Sequence, residues 1–155
     1  MTCRVWFGSP APLSIGKTSP GPLFPHCDTI ADVPFTGFDH VQLAMPRGEE
    51  EKARRFYRDV LGMVELPKPP ELARRGGVWF ASGIVQIHLG IEEDFRPAGK
   101  AHPALRCRDY PGLIARLRNA GVAVQEVDDI PGVVRGHIHD PFGNRIELMQ
   151  RLGSD

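Results

Sequence analysis

The sequence predicts an α+β fold assembled from two β-α-β-β-β modules, and three observations carry that prediction. Strand-like alternation and helical periodicity follow one another in the same order twice between residues 38 and 150. Each half holds one main helical stretch, and each stretch stops at a glycine, Gly62 and Gly121, 59 residues apart. Each half also sets a metal-capable side chain in its first and last strands: His40 and His88, then His102 and Glu147. Those positions repeat after 62 and 59 residues, so strands and caps keep one register. The folded domain is therefore read as residues 37–151, with modules at about 37–95 and 100–150, behind an extension of residues 1–36.

The first module opens on Phe38-Asp39-His40-Val41-Gln42-Leu43, an alternating strand. The spacing then predicts a helix over 49–61, because Ala53, Phe56, Tyr57, Val60 and Leu61 form one apolar stripe. Glu49, Glu50 and Glu51 in its first turn and Arg54, Arg55 and Arg58 beyond suit the helix dipole. A strand at 63–66, a Pro-rich loop, and strands at 78–81 and 84–89 complete the module, the last two meeting at Ser82-Gly83. The second module opens at 101–106. Its helix has Asp109 as predicted N-cap, Pro111 in the first turn, and Leu113, Ile114, Leu117 and Ala120 as its stripe. Strands follow at 122–127, 133–139 and 145–149. The last two are joined by Asp140-Pro141-Phe142-Gly143-Asn144, in which Pro141 presets φ, Gly143 supplies a left-handed residue, and the Asp and Asn side chains close local hydrogen bonds.

Composition narrows the function classes. Nineteen basic residues balance nineteen acidic ones, so neither nucleic acid nor an anionic membrane surface is an expected partner. Cys3, Cys27 and Cys107 are odd in number and widely spaced, which favours reduced thiols and a cytoplasmic location. No apolar run approaches transmembrane length, and the N-terminus lacks the apolar stretch of a signal peptide. The extension carries six prolines and no period, and is read as a tail. Within it, residues 11–18 fit a relaxed phosphate-loop pattern ending in Gly16-Lys17-Thr18, but Ser19-Pro20-Gly21-Pro22 follows, where no helix can run. His26-Cys27-Asp28 is read as a bystander in the same tail.

A sheet with one helix per module packs one face on that helix. Val41, Leu43, Val85, Ile87, Leu89, Ile146 and Leu148 are the expected inner face. His40, Gln42, Gln86, His88, His102, Arg106, Arg145 and Glu147 then share the other. A solvated polar surface is the plainer reading of any one of these. Four repeat-related positions filled by imidazole or carboxylate argue for a metal instead, and three nitrogens with one anionic oxygen suit Fe, Mn, Ni, Co or Zn.

Residues 38–150 resemble the vicinal oxygen chelate superfamily, which includes glyoxalase I, methylmalonyl-CoA epimerase, fosfomycin-resistance thiol transferases, extradiol dioxygenases and bleomycin-resistance proteins. The residues that carry the resemblance are Phe38-Asp39-His40-Val41, Ala53-x-x-Phe56-Tyr57-x-x-x-Leu61-Gly62, Ala101-His102-Pro103-Ala104, and Asp140-Pro141-Phe142-Gly143-Asn144-x-x-Glu147. The resemblance implies paired modules forming a U-shaped, partly closed mixed sheet with helices outside. It also implies a divalent metal at His40, His102 and Glu147, and a homodimer with sites shared between chains. His88 falls at a fourth position that is Glu in glyoxalase I. Only one of that enzyme's two carboxylates therefore remains, which counts against glyoxalase I activity. His88 is left as a fourth ligand or a general acid or base.

Arg135, His137 and His139 alternate along the hairpin partner of the Glu147 strand and share the face that carries Glu147. Arg135 is expected to clamp an anionic substrate group and His137 to exchange a proton with substrate, making Glu147, His88 and His137 the candidate catalytic residues. His139, Gln42, Gln86 and Arg106 are the further candidate substrate contacts. Trp79 and Phe80 are read as core aromatics first and pocket walls second. The expected function is a metal-dependent enzyme acting on a small oxygen-rich substrate that chelates the ion. The alternative is a metal-free binder that sequesters a small molecule.

Overall fold

The computed structural model describes residues 34–153. The phosphate-loop-like pattern and His26-Cys27-Asp28 lie outside the described residues. The following account concerns the unit that begins at Gly37.

Its elements run β1 (Val41–Met45), α1 (Glu50–Arg54), a π-helical continuation (Arg55–Val60), β2 (Val64–Leu66), α2 (Pro70–Ala73), β3 (Val78–Ser82), β4 (Val85–Ile91), β5 (Ala104–Arg106), α3 (Tyr110–Asn119), β6 (Gln125–Val127), β7 (Val133–His139) and β8 (Arg145–Arg151). Both β-α-β-β-β modules are present. Each gives a four-stranded mixed sheet, ordered β1-β4-β3-β2 and β5-β8-β7-β6. First and last strands pair in parallel and the hairpins pair antiparallel. The two sheets stay separate and unclosed, with β1 and β5 each at the edge of its sheet.

The caps follow from the residues. Gly62 and Gly121 have φ of 74° and 77°, a region open to glycine at little cost. Asp109 Oδ1 accepts from the Gly112 backbone N–H at 2.9 Å, as an N-cap should. The first helix departs from expectation. After Arg54 it widens, and the Leu61 N–H reaches the Phe56 carbonyl five residues back at 2.9 Å. The Pro-rich loop also contains one short helix, α2, that the sequence reading placed in a loop; Pro70 opens it.

One core serves both modules. Met45, Ala53, Tyr57, Phe80, Ile87 and Leu89 from the first join Ile114, Leu117, Ile138, Ile146 and Leu148 from the second. The turn expected at residues 140–144 fastens them together. Asp140 Oδ1 accepts from the backbone N–H groups of Phe142 and Asn144, and its Oδ2 accepts from Tyr57 and from the Asn144 amide. That amide also donates to the Ala44 carbonyl at 2.8 Å. With these residues facing inward, alternation sends the histidines and Glu147 to the opposite faces.

A candidate metal centre

Register places the candidate residues in equivalent positions. In the first sheet Gln42, His88 and Trp79 stand side by side on β1, β4 and β3. In the second, Ala104, Glu147 and His137 stand side by side on β5, β8 and β7. His40 and His102 each lie two residues before the first of these. His88 is thus the counterpart of Glu147, and Trp79 of His137.

In the first module the rings form a stack. His88 lies between His40, 4.0 Å away with planes 17° apart, and Trp79, 4.2 Å away with planes 9° apart. Lys68 Nζ sits 5.6 Å from the centre of the Trp79 ring. His40 Nδ1 donates to Asp39 Oδ1 at 2.7 Å, so Nε2 is the ring nitrogen left for another partner. His88 is 6% exposed, and its Nε2 has no hydrogen-bond partner. Burial, and then the neighbouring His40, push the His88 imidazole below its ordinary value.

In the second module the groups converge on a carboxylate. Glu147, only 8% exposed, has Oε2 at 3.1 Å from His102 Nε2 and 3.8 Å from His137 Nε2. Its Oε1 accepts from Arg135 Nη1 at 2.8 Å. Burial works to raise the Glu147 carboxyl, but the hydrogen bonds from Arg135 and His102 outweigh it and hold it below the usual range. The His137 ring is pushed down by burial first and by Arg145 second. His102 and His137 meet edge to face, with ring centres 5.2 Å apart.

Of the four expected ligands, one chain therefore brings together His102 with Glu147 and, separately, His40 with His88. Among the described residues, the set of three or more candidate ligands within 4.8 Å of one another is His102, His137 and Glu147. The remaining candidates spread around them. Gln42 and Gln86 line a groove of about 910 Å³ that runs between the β1 and β5 edges, with His40 and His102 in its wall. Arg106 and His139 are exposed on the second sheet. The Arg135 guanidinium is held by Asp129 at 2.8 and 2.6 Å as well as by Glu147. Trp79 joins the histidine stack, whereas Phe80 is core, stacked on Tyr57.

Sequence reasoning gave no role to Asp39, Asp129 or the Lys100 carbonyl, which accepts from His102 Nδ1 at 2.6 Å. Only Asp39 had a signal, its adjacency to His40. Burial pushes the Cys107 thiol up, which disfavours its reactive thiolate form.

The donor set fits a divalent ion. A carbonyl oxygen has no proton to give, so His102 Nδ1 donates to Lys100, and Nε2 is the atom turned to Glu147. An imidazole nitrogen and a carboxylate oxygen 3.1 Å apart share either a proton or a cation, and as a donor pair they suit a divalent ion.

A duplicated β-α-β-β-β chain with paired imidazoles and a carboxylate on its sheet faces is the architecture of a two-module chelate fold. Residues 37–148 match the Glyoxalase/Bleomycin resistance protein/Dioxygenase superfamily, and the chain belongs to it. A glyoxalase family protein from Bacillus anthracis is 46% identical, with a TM-score of 0.74 over 76% of this chain and 96% of that one. TnmS3, an antibiotic binding protein from Streptomyces sp. CB03234, is 26% identical, with a TM-score of 0.61 over 77% of this chain and 98% of that one. Among curated proteins, 3-dehydroshikimate dehydratase from Pseudomonas aeruginosa is 30% identical over 105 residues, 57% of this chain. The chain spans 17% of the length of that relative. Among the described residues, no helix is long and apolar enough to cross a membrane.

Proposed function

We propose that this chain is a metal-dependent enzyme that acts on a small oxygen-rich substrate in a homodimer. The observation that supports it most is the buried Glu147 with imidazole nitrogens aimed at one of its oxygens. His102 and Glu147 would hold a divalent ion, and that ion would supply polarisation of substrate oxygens and stabilisation of the negative charge that develops on them.

The chain's own residues do the rest. Arg135 is a positioning residue: its hydrogen bond to Oε1 leaves Oε2 turned to the imidazoles. A substrate anion reaches Arg135 only by displacing Asp129, which is half exposed. A second copy, seated along the β1 and β5 edges, brings His40 and His88 towards His102 and Glu147. His40 Nε2 then serves as a further ligand, backed by Asp39. The buried Nε2 of His88 is the group free to take a proton from substrate. Gln42 and Gln86 line the groove and orient the substrate's oxygens.

A second reading is favoured by the groove itself, whose wall includes Phe38, Val41, Leu43, Ile84, Val85 and Phe95. A metal-free binder would hold an apolar small molecule there. Elemental analysis of protein purified without chelator separates the two. Stoichiometric metal, with turnover of hydroxylated carbonyl compounds in a screen, supports the enzyme. Metal-free protein that binds small molecules without turnover refutes it.

A further inference from the structure

We propose that Arg145 recognises an anionic group of the substrate, so that the substrate carries a carboxylate beyond the oxygens that chelate the ion. This deepens the metal-dependent reading above and rests on it. The sequence assigned Arg145 only a place on the outer face and expected Arg135 to meet the anion.

The backbone brings Arg145 to the site. It opens β8 directly after the hairpin turn, and the turn is pinned, because the Asn144 amide, in a residue 7% exposed, donates to the Ala44 carbonyl and to Asp140. Arg145 stands opposite His139 on β7. On its other side β5 and β8 run parallel, with Ala104 opposite Glu147 and the Glu147 N–H donating to the Pro103 carbonyl at 2.9 Å. Two residues back along both segments, His102 and Arg145 are therefore neighbours on one face. Both line the groove between the β1 and β5 edges. A guanidinium has no lone pair and cannot ligate the ion, so its part there is to hold something else.

Its charge is unspent. Glu147 is taken by Arg135 and His102, and Asp129 by Arg135. Among the described residues, no carboxylate forms an ion pair with Arg145, which is half-buried in the groove wall. Arg135, by contrast, has Nε and Nη2 on Asp129 and Nη1 on Glu147. A guanidinium drawn partly out of water with no carboxylate beside it favours an anion arriving from solution.

The repeat sharpens the assignment. The counterpart of Arg145 is Gln86, 59 residues earlier. It lies two residues before His88, as Arg145 lies two before Glu147, and it lines the same groove. An amide donates and accepts without charge, whereas the planar fork of a guanidinium matches a carboxylate. Equivalent positions filled by an amide and a guanidinium fit an unsymmetrical ligand, with neutral oxygens towards one module and an anion towards the other. Arg96, the other arginine in the groove wall, is exposed on the connector, where no strand fixes it.

The test is hydroxamate binding to Co²⁺-loaded full-length protein, followed by visible absorption, with oligomeric state recorded in each sample. Hydroxamates chelate through two vicinal oxygens. Butanohydroxamate has no charge beyond them, and the malonic, succinic and glutaric monohydroxamates add a carboxylate at increasing reach. Wild type is expected to bind the best-fitting acid about tenfold or more tighter than butanohydroxamate, the gain from one charge-assisted contact. Arg145→Gln is expected to lose that preference while its affinity for butanohydroxamate stays within about threefold of wild type. Arg96→Gln is expected to keep the preference, since its exposed charge is screened. Arg145→Lys, which keeps the charge without the fork, covers the case in which Arg145→Gln does not fold: an intermediate preference is expected, and a preference equal to wild type overturns the proposal. No preference in wild type, or an undiminished one in Arg145→Gln, overturns it while leaving metal dependence intact. A change of oligomeric state in Arg145→Gln also overturns it, by assigning the guanidinium to the contact between copies. Wild type that takes up no Co²⁺, or whose Co²⁺ binds none of the hydroxamates, overturns the metal-dependent reading as well.

Discussion

The Tyr57 hydroxyl donates to Asp140 Oδ2 at 2.9 Å across 83 residues of chain, tying the helix of the first module to the hairpin turn of the second. Both groups are buried, and burial first and the Asp140 charge second raise the Tyr57 phenol well above its ordinary value. The hydroxyl therefore remains a donor at neutral pH. Tyr57→Phe should cost about 1.5–3 kcal/mol, one hydrogen bond to a charged group. Asp140→Ala should cost about 3 kcal/mol or more, because four donors lose their acceptor at once. Urea unfolding checks the order, and equal losses in the two variants would contradict it.

Gly77 is a second position where a single atom matters. Its φ is 78°, and an added Cβ would run into the Leu89 backbone carbonyl, which cannot swing aside as a side chain can. Gly77→Ala should lose about 3 kcal/mol or more through strain and overlap together. Gly83→Ala has a φ of 59° and nothing within 4 Å, so it should lose only about 1 kcal/mol. Thermal unfolding of the pair separates clash from conformation.

Stability should depend on pH through Glu50. The Gly77 backbone N–H, 3.0 Å from its Oε1, holds this carboxyl below its ordinary value of 4.5. A depressed folded value means that the contribution is complete above the unfolded value and is lost as pH falls through the folded one. The difference in unfolding free energy between wild type and Glu50→Gln should be constant from about pH 7 to pH 5 and shrink below that. A difference that grows on acidification would reverse the sign.

The groove between the β1 and β5 edges leads to a prediction about assembly. Phe38 and Ile84 are 93% and 95% exposed beside it, and both line it. Exposed apolar side chains of this size commonly mark a contact surface. Phe38→Glu/Ile84→Glu should convert the proposed dimer to monomer in light scattering while leaving far-UV circular dichroism unchanged. A dimer that survives both charges places the interface elsewhere.

Most of the fold was legible because it is written in periodicity and punctuation. The stripe at Ala53, Phe56 and Tyr57 is buried, and the caps at Asp109, Gly62 and Gly121 stand where expected. The π-helical widening after Arg54 was not legible, since an i+5 bond leaves no distinct spacing in one sequence. The candidate site was partly legible. Alternation placed His88, His137 and Glu147 on outer faces, but it says nothing of which faces meet. Whether His40 and His88 join Glu147 within one chain depends on sheet closure, which pattern cannot report. The ring stack on Trp79 required cross-strand register, and the Asp129 partner of Arg135 lies in a loop with no period at all.

The shared core has a further consequence. Residues 96–100 are exposed, and they connect two halves already held by the Tyr57, Asp140 and Asn144 hydrogen bonds and by side chains from both sides. Cleavage in that connector severs one covalent link between residues that already lie at the surface. The nicked polypeptide should remain a tight complex of two fragments, and separately produced halves should reconstitute it, which makes this chain a natural split reporter.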